Sequence, residues 1–215
     1  MTAAPAELGL RERKKIKTRR MLRDAAVRLA DERGYDAVTV DDIAEAAEVS
    51  TRTFFNYFTS KEDAIVGIDQ EEIQETVSAL ANRPPDESPV AALRAVMVAQ
   101  SIDTALHRDQ LQAKIRVIRA NPVLIGAFHA SWSRYEAALV DIVAQRCGLD
   151  SDMDAYPSVV VSAALAVSRT MSLRWRDHPG DSSLPDLVSA AFDNLAAGLT
   201  PPAAGEPPPR RAFPS

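Results

Sequence analysis

The sequence is poor in the residues that carry most enzyme and metal chemistry. Of its 215 residues, one is cysteine (Cys147) and three are histidine. A single cysteine excludes an intrachain disulfide framework and makes a reducing compartment the default. Three scattered histidines and one thiol offer no compact spacing for a four-ligand zinc site. The motifs GxGxxG, GxxxxGKS/T, GxSxG and HExxH are all missing, so no phosphate-binding loop, nucleophile elbow or zinc-protease helix is on offer. The longest charge-free apolar run, Ala155 to Ser168, is 14 residues and contains proline and serine. That is too short to span a membrane. No apolar stretch near the start leads to a small-residue cleavage site, so no secretory signal is expected. No segment alternates apolar and polar residues for long enough to be a strand. These absences leave an all-α, soluble, cytoplasmic protein, with neither catalysis nor a cofactor or metal expected.

The charge is unevenly placed. The net value is −5, yet nine basic residues between Arg11 and Arg28 face only Glu12 and Asp24, a local net of +7. The other 197 residues therefore carry −12. A basic end on an acidic body suggests a polyanion contact made by one part of the molecule. The plainer reading is a solvated helix face that keeps the protein in solution.

The apolar pattern divides the chain. Leu22, Ala25, Ala26, Leu29 and Ala30 recur at helical spacings, and Gly34 stands where a helix should stop, predicting a helix over about Leu10 to Arg33. Thr39-Val40-Asp41-Asp42 reads as a cap with an acid three residues on, opening a short helix through Ala47. Ser50 is the next cap, before Thr51 to Phe58. Ser60 opens a helix reaching about Ala81. After the proline-rich loop Asn82 to Pro89 come amphipathic segments at about Val90 to Leu106, Asp109 to Ala120, Pro122 to Cys147, Met153 to Asp177 and Leu184 to Leu199. The total is about nine helices. Residues 1–9 are expected to be a disordered leader. Residues 200–215, with six prolines, are expected to be a disordered tail.

The segment with chemistry is the pair of short helices around Glu48-Val49. They are too close in sequence to pack antiparallel and must cross steeply, as a helix-turn-helix does. Ile43, Ala44, Ala47, Val49, Phe54 and Phe58 supply the inner faces. The outer face of the second helix then presents Thr51, Arg52, Phe55 and Asn56. Short polar side chains and an arginine near a helix N-terminus suit base edges and phosphates in a major groove. Lys14 and Lys15 on the basic helix, and Lys61 after the turn, are candidate phosphate contacts.

The run Gly34-Tyr35, Thr39-Val40-Asp41-Asp42-Ile43-Ala44, Ala47-Glu48-Val49-Ser50 and Thr53-Phe54-Phe55-Asn56-Tyr57-Phe58-Thr59-Ser60-Lys61-Glu62 resembles the N-terminal domain of the TetR family of bacterial regulators. The leader Gly9-Leu10-Arg11-Glu12-Arg13-Lys14-Lys15 is similar to the start of many actinobacterial members. The resemblance implies a three-helix DNA-binding domain over residues 10–59 and a larger helical effector-binding and dimerisation domain over 60–199. It further implies a homodimer, joined through the helices near 155–176 and 184–199. Such a dimer represses from a palindromic operator and is released by a small effector. In the family pattern Thr39 and Lys61 meet phosphate, and Thr51, Arg52, Thr53, Phe55, Asn56 and Tyr57 face DNA. Two residues depart from it. Glu48 stands where the turn usually has glycine, predicting a strained backbone. Phe55 replaces a common tyrosine, removing a hydroxyl donor but leaving an apolar contact for a thymine methyl.

The body offers less. The charge-free run from Ala155 is apolar most of the way round, so its helix is expected to be buried on more than one side. Candidate linings of an effector site are Met97, Ile115, Phe128, Trp132, Tyr135, Met171 and Trp175, with His107, His129, Arg116 or Arg169 as polar anchors. Such a lining suits an apolar effector, although ordinary core packing accounts for each residue as well. The competing function is a helical small-molecule-binding or adaptor protein without specific DNA binding.

Overall fold

The computed structural model describes residues 10–68, 70–178, 180 and 182–199, with side chains of the first helix from Lys14 onward. The expected leader and tail lie outside the described residues. Among the described residues there is no strand. The elements are α1 (Leu10–Arg33), a 3-10 turn (Tyr35–Ala37), α2 (Val40–Ala46), α3 (Thr51–Phe55), α4 (Lys61–Val66), α5 (Gln70–Ala81), α6 (Pro89–Leu106), α7 (Arg108–Ala120), α8 (Pro122–Cys147), α9 (Ala155–Asp177) and α10 (Leu184–Ala196). No helix among them is long and apolar enough to cross a membrane.

The helix expected from Ser60 to Ala81 is two helices, so the described residues hold ten where about nine were expected. The α4 helix ends at Gly67, whose φ of 66° and ψ of 37° are left-handed, and whose N–H closes on the Asp63 carbonyl. Glycine adopts this conformation without steric cost. A Cβ at this position would also lie 2.6 Å from Nη2 of Arg23. The second short helix is shorter than expected too. It ends at Phe55, and Asn56 and Tyr57 form the turn that follows.

Helices of five to seven residues hold few internal hydrogen bonds and need outside support. Caps supply part of it. The side chains of Thr39, Ser50 and Ser60 accept hydrogen bonds from the backbone N–H of Asp42, Thr53 and Asp63, each worth about 1 kcal/mol. Burial supplies the rest. A first apolar cluster gathers Leu22, Leu29, Ile43, Phe54, Phe58 and Ile65, and is completed by Val117 of α7 and Leu124 of α8. A second cluster fills the body with Leu80, Leu93, Leu139, Val161, Leu184 and Phe192 among others. The α8 helix passes from one to the other. Phe128 packs against the first cluster and Trp132 against the second.

Within the single chain the α9 helix is buried on one side. Val161, Ala164 and Leu165 are buried, whereas Tyr156 and Val159 are 49% and 64% exposed, and Ser162 and Ala166 are also exposed. The apolar run is therefore split between the body's own core and an uncharged outer face.

Candidate nucleic-acid interface

The turn between α2 and α3 sets the geometry of the outer surface. The N–H of Val49 bonds to the Ala44 carbonyl at 2.9 Å and that of Glu48 to the Glu45 carbonyl at 2.9 Å. This is a Schellman closure with Glu48 at its left-handed position, φ 55°. The strain expected from a side chain there is present. Thr51 then donates from Oγ1 to Asp41 Oδ1 at 2.6 Å, tying the start of α3 to α2. The hydroxyls of Ser50 and Thr53 lie 2.8 Å apart. Phe54 is fully buried and serves as the pin about which α3 is set.

With the inner side fixed, the residues singled out for DNA fall into two groups. Arg52, Phe55 and Asn56 are exposed, and Phe55 stands 56% exposed with its ring edge-on to Phe54. Among the described residues Arg52 makes no ion pair, which leaves its guanidinium for an outside partner. Thr51, Thr53 and Tyr57 are half-buried, and the two threonine hydroxyls already have partners within the turn. Thr39 closes a capping box: Asp42 N–H bonds to its Oγ1 at 3.2 Å, and its own N–H bonds to Asp42 Oδ2 at 2.8 Å. The hydroxyl and backbone of Thr39, with Arg33 nearby, hold the Asp42 carboxyl below the usual carboxylate range.

Lys61 faces inward. Its Nζ donates to the carbonyls of Tyr35 at 3.0 Å and Val38 at 2.9 Å, and lies 4.1 Å from the centre of the Tyr35 ring. Two of its three donors are thus spent on the connection between α1 and α2. The Tyr35 hydroxyl donates to Glu62, and burial together with that carboxylate raises its pKa.

The basic helix is also divided in its uses. Lys14 and Lys17 are exposed. Lys15 pairs with Glu71, Arg19 with Glu71 and Glu75, Arg23 with Glu72, and Arg20 with Asp103. Burial alone would raise the Glu71 carboxyl, but Lys15 and Arg19 hold it below its ordinary value. Much of the local excess of +7 is therefore a clasp between α1 and the acidic start of α5. A signal for it was present in the sequence. Lys15, Arg19 and Arg23 step by four, as do Glu71 and Glu75, so each set lies on one helix face.

The residues proposed to line an effector site are spread over both clusters. Met97, Tyr135 and Trp175 are buried in the second cluster, with Trp132 and Met171 packed against it; Phe128 belongs to the first, and Ile115 is half-buried on α7. The polar anchors lie elsewhere. Arg116 grips Asp31 of α1 at 2.7 and 3.1 Å, His107 lies 2.8 Å from the Asp103 carbonyl, and His129 and Arg169 are exposed. A cleft of about 520 Å³ opens instead between α1 and α7, lined by Met21, Asp24, Asp109, Gln110, Ala113 and Arg116.

Comparison with known proteins agrees with this arrangement. Residues 22–65 match the family of bacterial regulatory proteins described as the tetR family, and residues 87–200 match the MftR C-terminal domain. The chain is 34% identical over 209 residues to the transcriptional regulator TcmR of Streptomyces glaucescens, covering 93% of this chain and 90% of that one. It is 30% identical to the putative mycofactocin biosynthesis regulator MftR of Mycobacterium tuberculosis, covering 87% of this chain and 93% of that one. In fold it is similar to FadR of Bacillus subtilis, solved with stearoyl-CoA, at a TM-score of 0.56 and 19% identity, over 83% of this chain and 98% of FadR. The chain belongs to the TetR family and is a helix-turn-helix DNA-binding transcriptional regulator.

Proposed function

We propose that the protein works as a homodimeric repressor that reads a palindromic operator with α3 and leaves it when a small effector binds the body. The observation that carries this reading is the division of α3. Phe54 is sealed inside, while Arg52, Phe55 and Asn56 stand outside on one short, capped helix. Arginine and asparagine are the side chains that read guanine and adenine by paired hydrogen bonds, and an exposed phenyl ring suits a thymine methyl. Lys14 and Lys17 add sequence-blind attraction to phosphate. Thr51 and Thr53 hold the start of α3 through their hydroxyls, and Thr39 and Lys61 brace α2 and the connection before it; these residues and Tyr57 meet the DNA backbone in this reading.

The uncharged outer face of α9, with Tyr156, Val159, Ser162 and Ala166, together with α10, is where a second copy of the chain packs in this reading. Twofold pairing of identical faces is the usual form of soluble oligomer. It presents two α3 helices to half-sites about 34–36 Å apart. An effector acts by binding better to a body shape in which that spacing is wrong, and its influence is limited to that difference in affinity.

Selection of bound duplexes from a random pool at near-physiological salt tests the reading. A palindrome should emerge, and Arg52→Ala should lose about 1–3 kcal/mol and relax preference at one base position. Lys14→Ala should weaken all duplexes alike and flatten the salt dependence. Recovery of sequence-indifferent binding alone would sink the reading in favour of a helical binding or adaptor protein.

A further inference from the structure

Three helices bring charge to one point at the break between α4 and α5. Arg23 of α1, Lys114 of α7 and Glu72 of α5 meet around Gly67. Arg23 Nη2 pairs with Glu72 Oε2 at 2.8 Å. Both Arg23 and Lys114 press on the glycine: a Cβ there would lie 2.6 Å from Arg23 Nη2 and 3.0 Å from Lys114 Nζ. One cation suits the C-terminal end of α4, where unpaired carbonyls carry partial negative charge. The second is in excess. Glu72 is committed to Arg23, and among the described residues Lys114 makes no hydrogen bond and no ion pair. Burial, reinforced by Arg23, pushes the Lys114 ammonium down to about 8, with Glu72 only partly opposing. A half-buried ammonium with no ion pair of its own is a standing cost to the fold, and such groups gather at functional sites.

One turn back from this lysine α7 becomes apolar and continuous with the body. Leu111, one turn back on the same face of α7, packs against the second cluster, as does Trp132 of α8. Ser131 donates to the Ile68 carbonyl at 2.6 Å, which fixes this part of α8 against the break. Phe128, Trp132 and Tyr135 run on from there as a ladder, with ring centres 5.9 and 6.0 Å apart.

We propose that Lys114 is the anion-receiving group of the effector site, and that the effector is an apolar carboxylate. Its carboxylate pairs with Lys114 beside Gly67, and its apolar part lies along Leu111 and Trp132. The inference rests on the effector-released reading given above and adds to it the charge of the effector and the place of its head. The pairing occurs where the last helix of the first cluster meets the first helix of the second, so its arrival loads the joint between the DNA-reading unit and the body.

The test uses the full chain and matched probes: octanoate, dodecanoate and 2-naphthoate against 1-octanol, 1-dodecanol and 2-naphthol, all below micellar concentrations. Trp132 is one of only two tryptophans, so quenching of intrinsic fluorescence at pH 7 reports binding. At least one carboxylate is expected to bind tenfold or more tightly than its alcohol. Lys114→Met should erase that preference and Lys114→Arg should keep it, with thermal unfolding confirming that both variants fold. The proposal is overturned if no carboxylate outbinds its alcohol, or if Lys114→Met retains the preference. Operator binding by the same preparations separates the two ideas. Operator recognition without carboxylate preference sinks this inference alone, while absence of operator recognition sinks the regulator reading whatever the probes do.

Discussion

Between Thr39 and Val66, three helices of five to seven residues are each opened by a serine or threonine whose oxygen accepts a backbone N–H. In the body, α6 and α10 are capped by Ser88 and Ser183, but α7, α8 and α9 run to 13, 26 and 23 residues and start without any side-chain cap hydrogen bond. The contrast follows from length. A helix of five residues has almost no internal ladder, so one cap is a large share of what holds it. A helix of 26 residues is held by the stripe it buries, and a bare end costs it little. The first region therefore depends on a cap at every short helix, whereas the body dispenses with caps at three of its long helices and relies there on packing.

Five substitutions would break or sharpen that contrast. The largest effect is expected from emptying either core. Phe54→Ala and Phe192→Ala each remove a fully buried ring and should cost about 3–5 kcal/mol. Hydrogen exchange should show protection lost in α1–α4 for the first and in α6, α9 and α10 for the second. Uniform loss from either variant would mean that the two clusters unfold as one.

Next comes Lys114→Met. The folded lysine titrates at about 8, below its unfolded 10.5. The unfolded chain thus binds more protons between those values, and stability rises with pH across that window. At pH 7 the variant should be more stable by on the order of 1–3 kcal/mol, and the gap should close as pH climbs from about 8 to 10.5. A gap that persists at pH 10.5 would refute burial of charge as its source.

Ser50→Ala should cost about 1 kcal/mol, read from the denaturation midpoint, and should loosen α3 more than any part of the body. The smallest effect belongs to Glu48→Gly, which relieves a left-handed glutamate and should gain about 0.5–1 kcal/mol. A loss instead would show that Glu48 makes interactions that outweigh its backbone strain.

Legibility in the sequence followed the same division. The caps Thr39, Ser50 and Ser60 could be seen because each signal spans four residues. The strain at Glu48 could be seen because the family it resembles usually has glycine in that turn, and the structure places Glu48 at a left-handed φ of 55°. Pro122 and Gly148 marked both ends of α8. The break at Gly67 was missed because the apolar spacing continues across it, and only the glycine after Ala64-Ile65-Val66 betrays it. The clasp from Lys15, Arg19 and Arg23 to α5 left only the four-residue step of each set as a trace, which does not name the partner. A cation looks the same in sequence whether its partner is DNA or a carboxylate about fifty residues away.

Val117 and Leu124 have a consequence for modularity. They belong to the body by sequence, yet they close the cluster built by Phe54 and Leu22. The N-terminal unit is therefore not a transplantable cassette. A chimera that grafts residues 10–66 onto another member's body will need an α7–α8 surface shaped to receive them. A reading head exchanged without its matching shelf would lose its floor before it lost any contact with DNA. In a lineage that diversifies its operators, substitutions on the inner sides of α1 and α4 are then expected to travel with substitutions on α7 and α8, while Arg52, Phe55 and Asn56 remain free to vary alone.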